Sequence, residues 1–245
     1  MTHQELGFYE DYAEWWPLIS PRDDYREEAA YYTKILQDAG VQRLIELGSG
    51  GGHNAVHMKS AFELTLIDLA PKMLALSETL NPECRHLVGD MRDFRLSETF
   101  DGVFVHDAVD YLTTPKDIER FAATAFELCR PGGVVLVVPD HTHEKFEPST
   151  EHGGSDGADG RSVRYLEWTH DPDPADGEIS VEYAFVFRRP DGTVKAAHET
   201  HRAGLFPKAD WLRWLDAAGF EASAFEEASP GDWTPRTLFI GTKGR

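Results

Sequence analysis

Cysteine, basic residues and long apolar runs are all scarce in this chain of 245 residues. The two cysteines, Cys84 and Cys129, are too few for a disulfide framework, and neither belongs to a CxxC pair. We therefore expect both to be structural. No apolar run approaches the length of a membrane-spanning helix, and the acidic start of the chain lacks the basic and apolar regions of a signal peptide. These absences predict a cytoplasmic protein with no membrane partner.

Lysine and arginine together number 24 against 43 acidic residues, which gives a net charge of −19. Such a surface repels phosphate backbones, and the sequence has no basic run to offset it, so nucleic-acid partners are not expected. The surplus of acids is explained by solubility alone, although it would also favour a cationic amine as substrate. Apolar residues make up 41% of the chain, which is enough for an ordinary core.

Short apolar segments alternate with amphipathic helical segments over the first 140 residues. The predicted strands are residues 43–48, 63–69, 85–90, 102–107 and 133–139. This alternation predicts an α/β fold with a Rossmann-like, doubly wound parallel sheet. Strands in such a sheet are buried on both faces, which explains their continuous apolar runs.

The pattern changes after Pro139. A polar, turn-rich stretch at 147–161 predicts a mobile loop, and three alternating stretches follow at 162–171, 178–189 and 193–206. They predict a small antiparallel β insert, and a final helix and two strands then return to the core. The predicted organisation is a cofactor-binding core with an N-terminal helical lid (1–140), a loop and β insert acting as a substrate lid (141–206), and the last elements of the core (207–245).

A glycine-rich turn, Glu46 to Gly52, follows the first strand. Gly48 and Gly50 permit unusual backbone angles and the close approach of a ligand, and the next helix directs its free amides into the same space. The dinucleotide-binding pattern GxGxxG would require glycine where this chain has His53, so the GxGxG spacing speaks against a nicotinamide oxidoreductase.

Two aspartates stand at the ends of neighbouring strands. Asp68, twenty residues past Gly48, is placed to accept both ribose hydroxyls of a nucleoside, the alternative being a helix-capping role. Asp90 is placed to accept from an adenine amino group while Met91 packs on the ring, the alternative being a turn residue.

Taken together, LIELGSGGG, LTLIDL, GDMRD, FDGVFVHDAVDYL and LCRPGGVVLVV resemble the motifs of class I S-adenosylmethionine-dependent methyltransferases. The resemblance implies a seven-stranded sheet of order 3-2-1-4-5-7-6 with the last strand antiparallel. It also implies S-adenosylmethionine as cofactor and S-adenosylhomocysteine as product. The residues expected at the cofactor are Tyr25, Glu46, Gly48, Ser49, Gly50, Asn54, Asp68, Leu69, Met73, Asp90, Met91, Arg92 and His106.

A narrower resemblance is to the sugar-amine N,N-dimethyltransferases of macrolide antibiotic pathways. It lies in GDMRDF, in PGGVV, in the insert after strand five and in an N-terminal tyrosine-rich segment ending in DY. This chain departs from them where strand four ends in His106-Asp107. The resemblance implies methyl transfer to nitrogen or oxygen of a small molecule of secondary metabolism. We expect a monomer or homodimer.

Methyl transfer mainly requires that the acceptor be oriented and lose a proton. The predicted catalytic residues are His106, Asp107 and Tyr12. His106 has a side chain suited to general-base catalysis, or else only its backbone contacts the methionine amino group. The residues expected at the substrate are Trp16, Asp110, Tyr111, His141 and His201.

Two other hypotheses remain open. Asp107, Asp140 and His141 are candidate ligands of a divalent cation, as in catechol-type O-methyltransferases, but a histidine is an unusual ligand for magnesium, and no metal is expected. A non-catalytic binding protein on a methyltransferase scaffold would typically lose the acid at position 68 or the glycines, and both are present here.

Overall fold

The structure is a computed structural model that describes residues 7–227 and 235–245. The strands are β1 (Arg43–Leu47), β2 (Glu63–Asp68), β3 (Arg85–Val88), β4 (Phe100–Val105), β5 (Cys129–Val137), β6 (Ser149–Gly153), β7 (Ser162–His170), β8 (Glu178–Arg188), β9 (Val194–Gly204), β10 (Phe220–Glu226) and β11 (Thr237–Lys243). The helices are α1 (Gly7–Glu10), α2 (Trp16–Ile19), α3 (Arg26–Asp38), α4 (His53–Met58), α5 (Pro71–Leu80), α6 (Pro115–Leu128) and α7 (Lys208–Ala218). Two stretches of the predicted organisation, residues 1–6 and 228–234, lie outside the described residues.

Seven strands form the main sheet in the order β3-β2-β1-β4-β5-β11-β10. The first five run parallel, whereas β11 is antiparallel to both β5 and β10. The predicted Rossmann-like class and its strand order are thereby confirmed. Side chains of α6 and α7 pack on one face of the sheet and those of α3 and α4 on the other, which explains why its central strands are apolar throughout.

The four strands β6 to β9 form a separate antiparallel sheet, so the predicted insert after strand five is confirmed. One detail of the prediction is wrong: part of the loop at 147–161 is the strand β6, which pairs with β7. All five residues of β6 are exposed or half-buried, so the segment has no alternation of apolar and polar residues. Its structure depends on the edge of β7, which is distant in the sequence.

The aromatic N-terminal segment packs on this inserted sheet. Phe8 stacks on Phe185 with ring centroids 5.1 Å apart, and Trp15 lies 4.9 Å from Phe187. These rings form a third core that is distinct from the two cores of the main sheet. The N-terminal segment and the insert therefore meet over a shared apolar surface.

Within the described part of the chain, no helix combines the length and the apolar character needed to cross a membrane.

Candidate active site

A cavity of about 1280 Å³ opens where β1, β2 and β4 end. Parallel strands bring their carboxyl ends to one edge of a sheet, and ligands of open α/β sheets bind in the crevice beyond that edge. Most of the residues predicted from the sequence line this cavity: Trp16, Tyr25, Glu46, Gly48, Ser49, Gly50, Asn54, Asp68, Leu69, Met73, Asp90, Met91, Arg92, His106, Asp107 and Tyr111.

The glycine-rich turn lies against the backbone that follows β4. Gly48 has φ +76°, and a Cβ atom at this position would lie 2.3 Å from the Cβ of Ala108. The backbone N–H groups of Gly48 and Ser49 both donate to the carbonyl of Ile67, at 2.8 and 2.9 Å. Glycine is therefore required at position 48 both by its dihedral angle and by lack of space.

Asp68 connects the glycine-rich turn to the start of α5. One carboxylate oxygen accepts from Gly50 N–H at 2.7 Å and the other from Ala70 N–H at 2.8 Å. Burial raises the pKa of Asp68, and these backbone N–H groups partly offset the shift. Each oxygen keeps further acceptor capacity, because a carboxylate has about four lone-pair directions. Both the capping role and the ribose role considered from the sequence are therefore compatible with this geometry.

Asp90 is engaged more strongly than its sequence context suggests. Its carboxylate accepts from Nε of Arg92 at 3.0 Å and from Nη2 at 2.6 Å. Burial alone would raise the pKa of Asp90, but the bonds from Arg92 outweigh it and lower the pKa. Arg92 also lies 3.4 Å from Asp117. An adenine amino group would share this carboxylate with the guanidinium.

Several polar atoms along the cavity have no partner. Trp16 Nε1, Ser49 Oγ, His53 Nδ1, Asn54 Oδ1 and His106 Nδ1 are buried, belong to lining residues and have no hydrogen-bond partner among the described residues. Buried polar groups are normally satisfied, and leaving one unpaired costs about 1–3 kcal/mol. These unpaired atoms, together with the glycine-rich turn at Gly48, fit a polar, nucleoside-containing cofactor such as S-adenosylmethionine.

Glu46 of β1 lines the cavity and has an unusual environment for a carboxyl group. Its side chain is almost completely buried, and burial raises its pKa to about 8. A carboxyl group in this state is largely protonated at neutral pH, and a positive charge nearby would favour its ionised form.

His106 lies in a charged cluster that the sequence does not indicate. Nη1 of Arg236 donates to Nε2 of His106 and also, at 2.9 Å, to the hydroxyl of Tyr32. The same Nη1 atom lies 3.1 Å from a carboxylate oxygen of Glu28. Burial and Arg236 lower the pKa of His106, but the carboxylates of Asp107 and Glu28 outweigh them and raise it. In the neutral ring the Nε2 lone pair accepts from Arg236, and the imidazolium that a raised pKa favours has no free lone pair, so the geometry lends no support to His106 as a general base.

A chain of hydrogen bonds joins two residues of the cavity lining to a buried histidine. The hydroxyl of Tyr9 lies 2.6 Å from that of Tyr111, and the Tyr111 hydroxyl lies 2.8 Å from Nδ1 of His201. Nε2 of His201 donates to Glu199 at 3.1 Å. Tyr9 and Tyr111 line the cavity, whereas His201 is buried behind them.

Four predicted residues do not line the cavity. Tyr12 stacks on Phe187 with ring centroids 4.9 Å apart, so it contacts the insert, and its assignment as a catalytic residue has no geometric support. Asp110 is buried and accepts from the N–H of Asp140 at 2.9 Å. His141 packs edge-on against Phe146, and His201 contacts the lining residues Tyr9 and Tyr111 without lining the cavity itself.

The sequence misses Glu28, Arg236 and Glu199. Glu28 and Arg236 contact His106, and Glu199 accepts from the N–H of Phe8, so each has a partner far away in the chain. Tyr9 could have been found from the sequence, because it belongs to the aromatic N-terminal segment.

The metal-dependent alternative is not favoured. Asp140 lies 3.4 Å from Nε of Arg236, and the described residues contain no cluster of three potential metal ligands.

Comparisons with known proteins agree with this geometry. Residues 44–133 match a family described as a methyltransferase domain. The chain is 29% identical over 230 residues to the dTDP-3-amino-3,6-dideoxy-α-D-glucopyranose N,N-dimethyltransferase of Streptomyces fradiae, covering 90% of this chain and 86% of the relative. It is 28% identical over 223 residues to the dTDP-3-amino-3,4,6-trideoxy-α-D-glucopyranose N,N-dimethyltransferase of Streptomyces venezuelae, covering 89% and 91%.

A solved structure of a methyltransferase is also similar to this chain. An amino pentose methyltransferase from Micromonospora echinaspora, determined with S-adenosylmethionine bound and involved in calicheamicin biosynthesis, superposes with a TM-score of 0.76. It is 25% identical and covers 89% of this chain and 91% of its own. The chain is therefore an S-adenosylmethionine-dependent methyltransferase of the Rossmann-like class, and the relatives it resembles include sugar N-methyltransferases of secondary metabolism.

Proposed function

We propose that this enzyme transfers the methyl group of S-adenosylmethionine to the amine nitrogen of a small amino sugar. The cofactor supplies the methyl group as an electrophile on a sulfonium. The protein then has to hold the cofactor, admit the amine on the far side of the methyl group and exclude water. The relatives named above act on amino sugars, which supports the same class of acceptor here.

The charge of the cavity is the observation that carries this proposal. Among the described residues, acids far outnumber bases along the lining, and its two arginines are both engaged: Arg92 pairs with Asp90, and Arg202 lies 3.4 Å from Glu178. Such a lining attracts a cationic ammonium group. The rings of Tyr9, Trp16 and Tyr111 add faces on which a cation is stabilised.

We assign the cofactor to the end of the cavity beside the glycine-rich turn. Asp68 is proposed to accept from the ribose hydroxyls, and Asp90 to accept from the adenine amino group while Met91 packs on the ring. Tyr25 and Glu46 lie toward the methionine portion in this placement. The acceptor then lies against Trp16 and Tyr111, where the N-terminal segment and the insert act as a lid.

We propose nitrogen rather than oxygen as the methyl acceptor because the two nucleophiles differ in their need for a base. A neutral amine attacks without a strong base, whereas a sugar hydroxyl needs one close at hand. The histidine at the end of β4 does not offer a base in contact with the acceptor, since its Nε2 atom accepts from Arg236, and Tyr9 and Tyr111 face the cavity as neutral phenols whose pKa is raised by burial.

The direct test uses purified protein, S-adenosylmethionine and three acceptors. They are dTDP-3-amino-3,6-dideoxy-α-D-glucopyranose, the methyl glycoside of the same amino sugar, and that glycoside with a hydroxyl in place of the amine. Mass spectrometry should show gains of about 14 and then 28 daltons on one or both amines and none on the hydroxyl compound, as expected for one and two methyl groups replacing hydrogen. Methylation of the hydroxyl compound alone would overturn the proposal, as would no methylation of either amine.

A further inference from the structure

We infer that Tyr9, Tyr111, His201 and Glu199 form a one-way proton relay that takes the proton from the acceptor ammonium group. This inference rests on the proposed N-methylation, because an ammonium group has no lone pair and must lose a proton before it attacks the methyl group. The four residues come from the N-terminal segment, the turn after β4 and the strand β9, so the relay exists only when all three parts are assembled.

The direction of every bond follows from Glu199. Its carboxylate accepts the N–H of Phe8 at 2.9 and 3.0 Å, and a carboxylate oxygen also accepts from Nε2 of His201. With its proton on Nε2, His201 presents an unprotonated Nδ1 to Tyr111, whose hydroxyl must donate. The Tyr111 oxygen then accepts from Tyr9. Tyr9 is left with acceptor capacity on its oxygen, and both phenols line the cavity.

Proton transfer along this chain balances without any other reactant. The ammonium N–H gives its proton to the Tyr9 oxygen, the Tyr9 proton passes to Tyr111, and the Tyr111 proton passes to Nδ1 of His201. The amine gains a lone pair and His201 becomes an imidazolium, which Glu199 stabilises. Both phenols are neutral before and after the transfer, and burial raises the pKa of each, which keeps them in that form.

The surroundings of His201 suit a proton acceptor. The ring is buried, and the titratable groups that face it are Tyr9, Tyr111, Glu199 and Tyr183 of the adjacent strand β8, whose ring centroid is 4.9 Å away. Burial raises the pKa of Tyr183 well above its ordinary value, so it remains a neutral phenol. Glu199 is thus the carboxylate that contacts His201, and it is not among the residues that line the cavity.

The strand β9 offers a matched control. His198 lies three residues before His201 and faces the opposite side of the sheet, where it is exposed and bonded to Glu182 at 2.8 Å. Substitution of either histidine by glutamine keeps an amide near the same place, but only His201→Gln removes the proton acceptor. Tyr111→Phe interrupts the relay one step earlier without touching the histidine.

The test compares the pH dependence of kcat/KM for the wild type and these variants with dTDP-3-amino-3,6-dideoxy-α-D-glucopyranose as acceptor. His201→Gln and Tyr111→Phe should be roughly 100-fold slower at pH 7. Their rates should rise about tenfold per pH unit up to the pKa of the free amine, because only neutral amine then reacts. The wild type should reach its plateau at lower pH, and His198→Gln should follow the wild type. Affinity for S-adenosylhomocysteine should be the same in all four proteins.

A parallel loss of rate at every pH would overturn the relay while leaving the proposed N-methylation standing. An NMR measurement separates the two proposals further, since it needs no acceptor. Long-range ¹H–¹⁵N spectra of the resting enzyme should show His201 protonated on Nε2 and unprotonated on Nδ1. A proton on Nδ1 would overturn the relay whichever acceptors are methylated.

Discussion

The hydroxyl of Tyr111 lies 2.8 Å from Nδ1 of His201, and this contact joins the end of β4 to the last strand of the inserted sheet. The two residues are 90 positions apart, yet their contact supports one wall of the cavity, which Tyr111 lines together with Tyr9. The N-terminal segment is attached at the same place, because Glu199 accepts both from His201 and from the N–H of Phe8. The wall that we propose for the acceptor is therefore assembled from three separate parts of the chain.

We expect Gly48→Ala to abolish cofactor binding and to destabilise the fold more than Gly40→Ala does. Both glycines have a positive φ, +76° and +78°, so both variants carry the strain of about 1–2 kcal/mol for a left-handed residue. Only the Cβ at position 48 would meet other atoms, since none lies within 4 Å of one at position 40. Urea unfolding and calorimetry with S-adenosylhomocysteine measure the two effects. Equal unfolding free energies and intact binding in both variants would refute the close approach at Gly48.

We expect Asp68→Asn to weaken the binding of S-adenosylmethionine by about 10- to 100-fold. The amide keeps one acceptor oxygen for the backbone, but it removes the charged acceptor proposed for the ribose, and hydrogen bonds to charged groups contribute about 1.5–3 kcal/mol. Asp38→Asn is the control, because Asp38 pairs with Lys34 on the exposed surface of α3. An unchanged dissociation constant for Asp68→Asn would remove this residue from the cofactor site.

We expect Glu46→Gln to change the pH dependence of stability. Burial raises the pKa of Glu46 to about 8, well above its value in an unfolded chain. Between these two pKa values the folded protein binds more protons than the unfolded one, so the contribution of Glu46 to stability is complete at low pH and is lost as the pH rises through about 8. Urea unfolding from pH 5 to 9 should show the wild type losing stability relative to the variant over that window. Parallel curves would mean that Glu46 has an ordinary pKa.

We expect Glu199→Gln to loosen the N-terminal segment. The charged acceptor of the Phe8 N–H is lost, so the amides of Phe8 and Tyr9 should exchange with deuterium faster. Glu182→Gln is the matched control, since Glu182 belongs to the neighbouring strand and bonds His198 and Thr200 away from this segment. Adding S-adenosylhomocysteine to the wild type should slow exchange across residues 8–25. Exchange that responds to neither change would show that the segment does not act as a lid.

The part of the cavity that we propose for the cofactor could be predicted from the sequence, because its signals are local. The glycine turn, Asp68 and Asp90 each follow a strand directly, and a parallel sheet necessarily brings those ends together. The same local reasoning failed at β6, whose exposed residues form a strand only because the edge of β7 is there to pair with. It also could not foresee the partner of Asp90, since the bidentate pairing depends on the direction in which the Arg92 side chain turns.

The part of the cavity that we propose for the acceptor was decided by the tertiary structure. From the sequence, His106 at the end of β4 was a candidate base, with a backbone contact to the methionine amino group as the alternative. The fold places Arg236, 130 residues later, on its Nε2 atom and surrounds it with Glu28 and Tyr32 of α3. The fold also buries His201 behind Tyr111 and leaves His198 exposed, a difference that two histidines on one strand acquire only when one face of the sheet is covered. Residue types and local spacing thus determined the class of cofactor, because a strand and its following turn form one contiguous unit. Contacts between segments far apart in the chain decided which side chains are free to receive a proton. A hydrogen bond depends on the position of its partner in space, and the local sequence does not specify that position.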